Sequence, residues 1–312
     1  MSKEFGVSET SKWSRKITSV GGCGRVPQTG RGSSGKGKHP TVEKVSAGKD
    51  RILRALECRS KLIAKFSSSG DVYSVVKAEF IAMRLAASCG LDVAPVSLVT
   101  ASGKEVLLVE RFDRILGKTG WQRRMMVSAL TLLGLDEMMA RYAGYAELAE
   151  ILRHRFTDAP ATLRELFSRI VFNILCGNTD DHARNHAAFW DGESLALTPA
   201  YDLCPQGRSG QEASQAMLIT EHSRSSRIAT CLEAAHHFLL SEDEALEIAA
   251  AQVRGVADNW AAVCDEASLA VVDRKLFWGR QFLNPYAFTG LGKKAAGLGR
   301  LSVRVRSAGF SL

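Results

Sequence analysis

Apolar residues recur at helical spacing over residues 161–175, where Leu163, Leu166, Phe167, Ile170, Val171, Ile174 and Leu175 share one face. Recurrence at three and four residues marks an amphipathic helix with one buried stripe. Gly177 stands where a helix-ending glycine belongs. Similar spacing predicts helices over 75–88 (closed by Gly90), 128–133, 136–140, 145–156 and 241–267. Asp136 and Ser241 are candidate N-caps, and Ser241-Glu242-Asp243-Glu244 has the spacing of a capping box. Shorter apolar runs predict strands at 62–66, interrupted by Lys65, and at 194–198. Residues 95–100 and 105–109 read as a hairpin around Ala101-Ser102-Gly103-Lys104. After about residue 120 the chain reads as helical. Residues 1–40, rich in Gly, Ser and Lys, read as largely disordered. Residues 290–312 show little pattern beyond Leu301, Val303 and Val305 and read as a mostly unordered basic tail.

At 312 residues the chain can form one large domain or two lobes. A hydrophobic share of 46% and a mean hydropathy of −0.05 fit a soluble globular protein. The sequence has no apolar run of about 18 residues, so no membrane span and no membrane partner is expected. The first residues lack the apolar core of a signal peptide. Seven scattered cysteines without a Cys-x2-Cys pair point to reduced thiols in a cytoplasmic protein. The net charge of +8 belongs to the two ends, whereas the middle of the chain is net acidic. A basic nucleic-acid-binding face on the body is therefore a poor reading. Only the basic ends are suited to non-specific contact with nucleic acid.

The densest polar stretch follows the 161–175 helix: Cys176-Gly177-Asn178-Thr179-Asp180-Asp181-His182-Ala183-Arg184-Asn185-His186. A loop so polar, mounted on a core-anchored helix, is costly to order unless something binds there. Downstream the 194–198 strand delivers Asp202. Asp180 and Asn185 stand in the D-x4-N spacing of a phosphoryl-transfer loop, although Asn178-Thr179 replaces the usual His-Arg before the acid. In such sites one Asp orients the nucleophile, the Asn holds a metal, and a later Asp holds the Mg²⁺ that bridges the phosphates. Asn185 and Asp202 are hard oxygen ligands of the kind Mg²⁺ takes. Competing readings exist. His182-x3-His186 has one-turn metal spacing but lacks the Glu of a metalloprotease helix and a third zinc ligand. Asp180 and Asp181 could form a hydrolytic pair, yet adjacent carboxylates on a loop point apart. His182 reads as a packing residue that hydrogen-bonds the loop. Asp181 and Arg184 read as solvent-facing or loop-stabilising, with Arg184 also able to approach phosphate.

Asn178 to His186, followed by Leu197-Thr198-Pro199-Ala200-Tyr201-Asp202-Leu203, resembles the C-terminal kinase domain of the HipA toxin family. The resemblance continues at Ile63-Ala64-Lys65-Phe66, Glu79, Val109 to Arg114, Ser128 to Gly134 and Arg280 to Tyr286, so it covers roughly residues 60–288. It implies an α+β, protein-kinase-like two-lobed fold, with a partial N-lobe over 41–114 and a helical C-lobe over 115–289. It also implies ATP and Mg²⁺ as cofactors, and an ATP-dependent Ser/Thr kinase acting as a toxin. Its protein substrate would be of the aminoacyl-tRNA synthetase class. Its partner would be a HipB-like DNA-binding antitoxin, through which DNA is met only indirectly.

Carried over residue by residue, the resemblance makes Asp180 the base or orienting acid. Asn185 and Asp202 become the Mg²⁺ ligands, and Lys65 paired with Glu79 becomes the phosphate holder. Glu110 and Phe112 would meet adenine through their backbone, and Asp113 would approach the ribose. Gly30 to Lys38 resembles a phosphate-cradling loop, but Gly37 stands where a Walker motif needs Ser or Thr. Ser33 or Ser34 would be the autophosphorylation site. The chain departs from the family between Lys38 and Ser60, where residues 51–59 read as a basic helical turn rather than N-lobe strands. The small N-terminal subdomain of full-length members has no counterpart, so the chain reads as truncated or divergent. A catalytically inactive pseudokinase that docks the antitoxin is the alternative.

Overall fold

The computed structural model describes residues 60–68, 70–208 and 210–309. The 30–38 loop, Ser33, Ser34 and the 51–59 turn lie outside the described residues.

The described residues open with β1 (Leu62–Phe66), then α1 (Val75–Ser88), β2 (Val96–Ala101) and β3 (Lys104–Glu110). The three strands form one antiparallel sheet in the order β1-β3-β2, with Lys65 opposite Leu107. Ser102 and Gly103, both at positive φ, make the tight β2–β3 turn. Strand alternation explains the placement of Lys65. Ala64 packs on one face with Val106 and Leu108, so Lys65 points to the other. That second face carries Leu107 and Val109 and belongs to the main core, as does the apolar stripe of α1. Ser74 caps α1 through the Lys77 amide.

From about residue 120 to 128 the structure differs from the helical expectation. A hairpin of β4 (Arg114–Gly117) and β5 (Gly120–Arg123) comes first, then β6 (Met125–Ser128). β6 is the edge of a second sheet with β7 (Ala187–Trp190) and β8 (Leu195–Leu197). The partner that makes β6 a strand lies some sixty residues downstream, so local periodicity could not report it. The 136–140 helix is also absent. Asp136 caps a turn through the Met139 amide, and a 3-10 turn follows at Ala140–Tyr142. Met138 and Met139 are exposed, so a helix there would have no apolar face to bury.

The helical lobe follows the spacing closely. It holds α2 (Ala129–Leu132), α3 (Tyr145–Arg155), α4 (Ala159–Cys176), α5 (Ile228–Ala234), α6 (Glu242–Glu266) and α7 (Val271–Phe277). α4 starts at Asp158, which accepts from the Ala161 amide, and has Pro160 in its first turn. The Ser241–Glu244 capping box on α6 is formed in both directions. Residues 296–309 correct the expectation of an unordered tail: they form α8 (Ala296–Gly309). Leu298, Leu301, Ser302 and Val305 lie at helical spacing, and Trp278 Nε1 donates to the Arg306 carbonyl at 3.0 Å. Gly297 and Gly299 dilute that signal in the sequence. The architecture is α+β, a small sheet-and-helix lobe on a larger helical lobe.

Candidate active site

Three elements converge on Lys65. β1 presents its ammonium from the lower sheet face, α1 presents Glu79, and the segment after β8 presents Asp202. Lys65 Nζ lies 2.5 Å from Glu79 Oε1 and also pairs with Asp202 Oδ1. Glu79 is buried, so its charge is tolerable only with this partner. Burial alone would lower the Lys65 ammonium, but Glu79 and Asp202 outweigh it and raise the group above its ordinary value. Burial raises the Glu79 carboxyl, against the pull of Lys65, and Asp202 adds to the rise. Asp202 stands at φ 60°, a left-handed backbone that a non-glycine residue adopts at a cost. Asn178 Nδ2 reaches its carbonyl at 3.5 Å.

The polar loop is built around Asp181, which is buried rather than solvent-facing. Its Oδ2 accepts from Tyr145 Oη, from Asn173 Nδ2 at 2.6 Å and from His186 Nε2 at 3.0 Å. Asn178 Nδ2 donates to Asn173 Oδ1 at 2.9 Å. Burial would raise the Asp181 carboxyl, yet His186 and the Tyr145 hydroxyl hold it below its ordinary value. The imidazole that ties the loop together is therefore His186. His182, expected in that role, makes no side-chain hydrogen bond among the described residues, and its enclosed Nδ1 has no partner there. With His186 spent on Asp181, the two histidines do not form a zinc pair. Arg184 is paired with Glu137, and its carbonyl accepts from Tyr201 Oη at 2.7 Å.

Asp180 is exposed at the tip of this scaffold, its carboxylate free of hydrogen bonds among the described residues. Partial burial and the nearby Asp202 raise its carboxyl, with His182 and Arg184 opposing, so the group is a better base than an ordinary aspartate. Asn185 closes the 3-10 turn Ala183–Asn185, and its Nδ2 leans on the Asp180 carbonyl at 3.4 Å. That leaves the Asn185 amide oxygen and Asp202 Oδ2 as hard oxygen donors. Two such donors fit an ion that takes few ligands from protein and the rest from water and phosphate.

At the lobe connection, the Glu110 amide donates to the Pro95 carbonyl at 2.9 Å. Proline has no N–H to return, so the ladder leaves the Glu110 carbonyl without a partner among the described residues. Phe112 packs edge-on against Phe189 and tilted against Tyr201, with centroids 5.8 and 5.5 Å away. Asp113 is gripped by Arg111 at 2.8 and 2.6 Å and by Arg114 at 3.1 Å. Hydrogen bonding from Arg111 holds its carboxyl below the ordinary range. The structure thus brings together Lys65, Glu79 and Asp202, and sets Asp180 and Asn185 on one loop. Asp113 is engaged by arginines, and the Ser33 and Ser34 placements lie outside the described residues. Sequence reasoning missed Tyr145, Asn173, Asn178 and His186 as the loop's supports. Asn173 carried a signal: an amide set three residues after Ile170 on an otherwise apolar helix face.

Residues 39–260 match the HipA-like C-terminal domain, which is most of the chain. The chain belongs to this family. It is 36% identical over 132 residues to a putative kinase, Y4mE, of Sinorhizobium fredii, covering 40% of this chain and 31% of that protein. It is 29% identical over 183 residues to the serine/threonine-protein kinase toxin HipA of Shewanella oneidensis, covering 54% of this chain and 42% of that one. The matches thus span less than half the length of these relatives. Among solved structures, the complex of Shewanella oneidensis HipA with HipB and operator DNA superposes with a TM-score of 0.59 at 21% identity. That match covers 80% of this chain and 57% of the HipA chain. The HipA-like chain shares the kinase-like fold of that neighbour.

Proposed function

We propose that this HipA-like chain transfers the γ-phosphoryl group of ATP to a serine or threonine of a protein, as the toxin of a HipA-type pair. The observation that carries the reading is the Lys65 ammonium held between Glu79 and Asp202, in a site that also holds Asp180, free of side-chain hydrogen bonds among the described residues, on a loop tied down through Asp181. Lys65, kept in place by Glu79, binds phosphate oxygens. Asp180 orients the attacking hydroxyl and takes its proton. Mg²⁺, held by Asn185 and Asp202, would neutralise charge on the phosphates. The Glu110 carbonyl and the Phe112 amide take the adenine edge, and Ser33 or Ser34 is the candidate for autophosphorylation.

The substrate class we infer is an aminoacyl-tRNA synthetase, whose modification would stop growth. The partner we infer is a HipB-like DNA-binding antitoxin. Its support is that the structural neighbour was solved with HipB and operator DNA, while the acidic body of this chain is unsuited to holding DNA itself. The intact Lys65–Glu79 pair favours a working site over an inactive docking remnant.

The test is induction of the full chain beside Asp180→Ala, with growth and phosphate incorporation followed together. Arrest and incorporation that both vanish in the variant are expected. A chain that never arrests growth or incorporates phosphate, but still binds a HipB-like protein, would be the docking remnant.

A further inference from the structure

The turn at 136–142, between α2 and α3, exposes three large apolar side chains within five positions. Met138 is 84% exposed, Tyr142 53% and Met139 44%. A single exposed apolar residue is ordinary, but three together on one short turn are not. The turn is not loose. The Met139 amide donates to Asp136 Oδ1 at 2.9 Å, the Tyr142 amide to the Met139 carbonyl at 2.9 Å, and the Ala143 amide to the Ala140 carbonyl at 3.2 Å. From outside the turn, Arg224 donates to the Arg141 carbonyl at 2.8 Å. Leu135 and Ala140 pack on the main core. A backbone tied down in this way holds the three side chains outward.

The charged side chains of the turn are already spent on neighbours. Asp136 caps the turn, Glu137 pairs with Arg184, and the Arg141 guanidinium lies 4.9 Å from the centroid of the Tyr142 ring. What the turn offers a partner is therefore mainly apolar. The Glu137–Arg184 pair also fixes where that surface lies. Arg184 belongs to the 178–186 loop, four residues after Asp180, and its charge reaches the Asp180 carboxyl. Met138 adjoins Glu137 in the chain, so the patch borders the loop that carries the candidate base. A segment that presents a serine or threonine to Asp180 extends past this loop, and on this side it meets the patch. The chain's own residues 1–40, rich in Gly, Ser and Lys, bring few large apolar side chains to cover it. Methionine is unbranched and adaptable, so such a surface accepts large apolar side chains of differing shape.

We propose that Met138, Met139 and Tyr142 determine substrate specificity, gripping a large apolar side chain of the protein substrate close in sequence to the serine or threonine that is phosphorylated. The assignment rests on the kinase reading above and adds to it a preference for one kind of acceptor segment. The three side chains touch no reacting atom. They bind the segment and fix the register in which its hydroxyl meets Asp180.

The test uses the full chain, labelled Mg-ATP and a set of synthetic serine and threonine peptides. Each position flanking the acceptor carries Leu, Gln or Glu in turn. Wild type should label peptides with Leu at one fixed offset on the order of 10-fold better than those with Gln there. This preference is read without any variant. The pair Met138→Ser with Met139→Ser should abolish it by raising KM for the favoured peptide about 10-fold at little changed kcat. The pair Met138→Leu with Met139→Leu should keep it. Thermal midpoints and sedimentation are measured beside each protein. Labelling indifferent to Leu at every offset overturns the proposal. So does a preference that survives the serine pair, a loss confined to kcat, or a loss that tracks the thermal midpoint. A mass above one chain that falls to one chain in the serine pair assigns the patch to a second copy and overturns it too. A wild type that neither labels protein or peptide nor hydrolyses ATP sinks the kinase reading itself. An active wild type without the apolar preference, or one that labels no peptide, sinks only this assignment.

Discussion

Lys65 Nζ and Glu79 Oε1 lie 2.5 Å apart, joining a strand of the small lobe to the helix packed under it. The carboxylate is buried while the ammonium is a third exposed, so the two partners are not equivalent. Removing Lys65 strands a buried charge, whereas removing Glu79 frees a cation that can still meet Asp202 and water. Lys65→Met should therefore cost more stability than Glu79→Gln, about 1–3 kcal/mol after discounting for exposure. The double substitution to apolar residues should recover part of the loss. Urea denaturation of the three variants measures this, and a smaller cost for Lys65→Met than for Glu79→Gln would contradict it.

Acid should unfold the loop before it unfolds the lobes. The Asp181 carboxyl is lower in the folded chain than its unfolded value of about 3.9. Its contribution is thus present above that value and is lost as pH falls through the folded one. Asp181→Asn should cost about 2–4 kcal/mol at neutral pH, through the stranded Tyr145, Asn173 and His186 groups. It should also flatten the stability profile below pH 4. An equally steep acid limb in the variant would contradict the assignment.

Activity should respond to pH through a different aspartate. The Asp180 carboxyl is raised, so its base form is reached only above the ordinary carboxylate range. The acid limb of kcat/KM should lie above that of a free aspartate and shift downward in Asp202→Asn, which removes a neighbouring negative charge. An unshifted limb in that variant would assign the titration to another group.

Much of this was legible in the chain, and the gaps have physical causes. Helix α4 and its stop are plain because seven apolar residues share one stripe and Gly177 follows. Lys65, Glu79, Asp180, Asn185 and Asp202 could be named because each stands in a recognisable spacing or resemblance. The supports of the loop could not be. Tyr145 lies 36 residues before the Asp181 it contacts, on another helix, and no local pattern records such a pair. β6 was misread for the same reason, since its partner is β7. α8 was missed because glycines interrupt it, although Leu298, Leu301 and Val305 keep helical spacing.

Gly177 links fold and site. It stands at φ 72°, and a Cβ there would fall 2.7 Å from the Gln281 carbonyl oxygen. Gly177→Ala should destabilise by about 2–4 kcal/mol through backbone strain plus the clash. The neighbouring 178–186 loop should move with it, lowering the proposed activity even at temperatures where the variant is folded. Thermal denaturation beside phosphate incorporation checks both, and a variant as stable as wild type would contradict the packing described.

The most direct test is thermal stabilisation by Mg-ATP, wild type beside Asp202→Ala. The account predicts a clear Mg²⁺-dependent rise in the wild-type midpoint that disappears in the variant, because Asp202 is a partner of Lys65 and, on the proposed reading, would also supply a metal oxygen. No rise in a folded wild type, or the same rise in both proteins, would contradict the claim that this cluster is a nucleotide site.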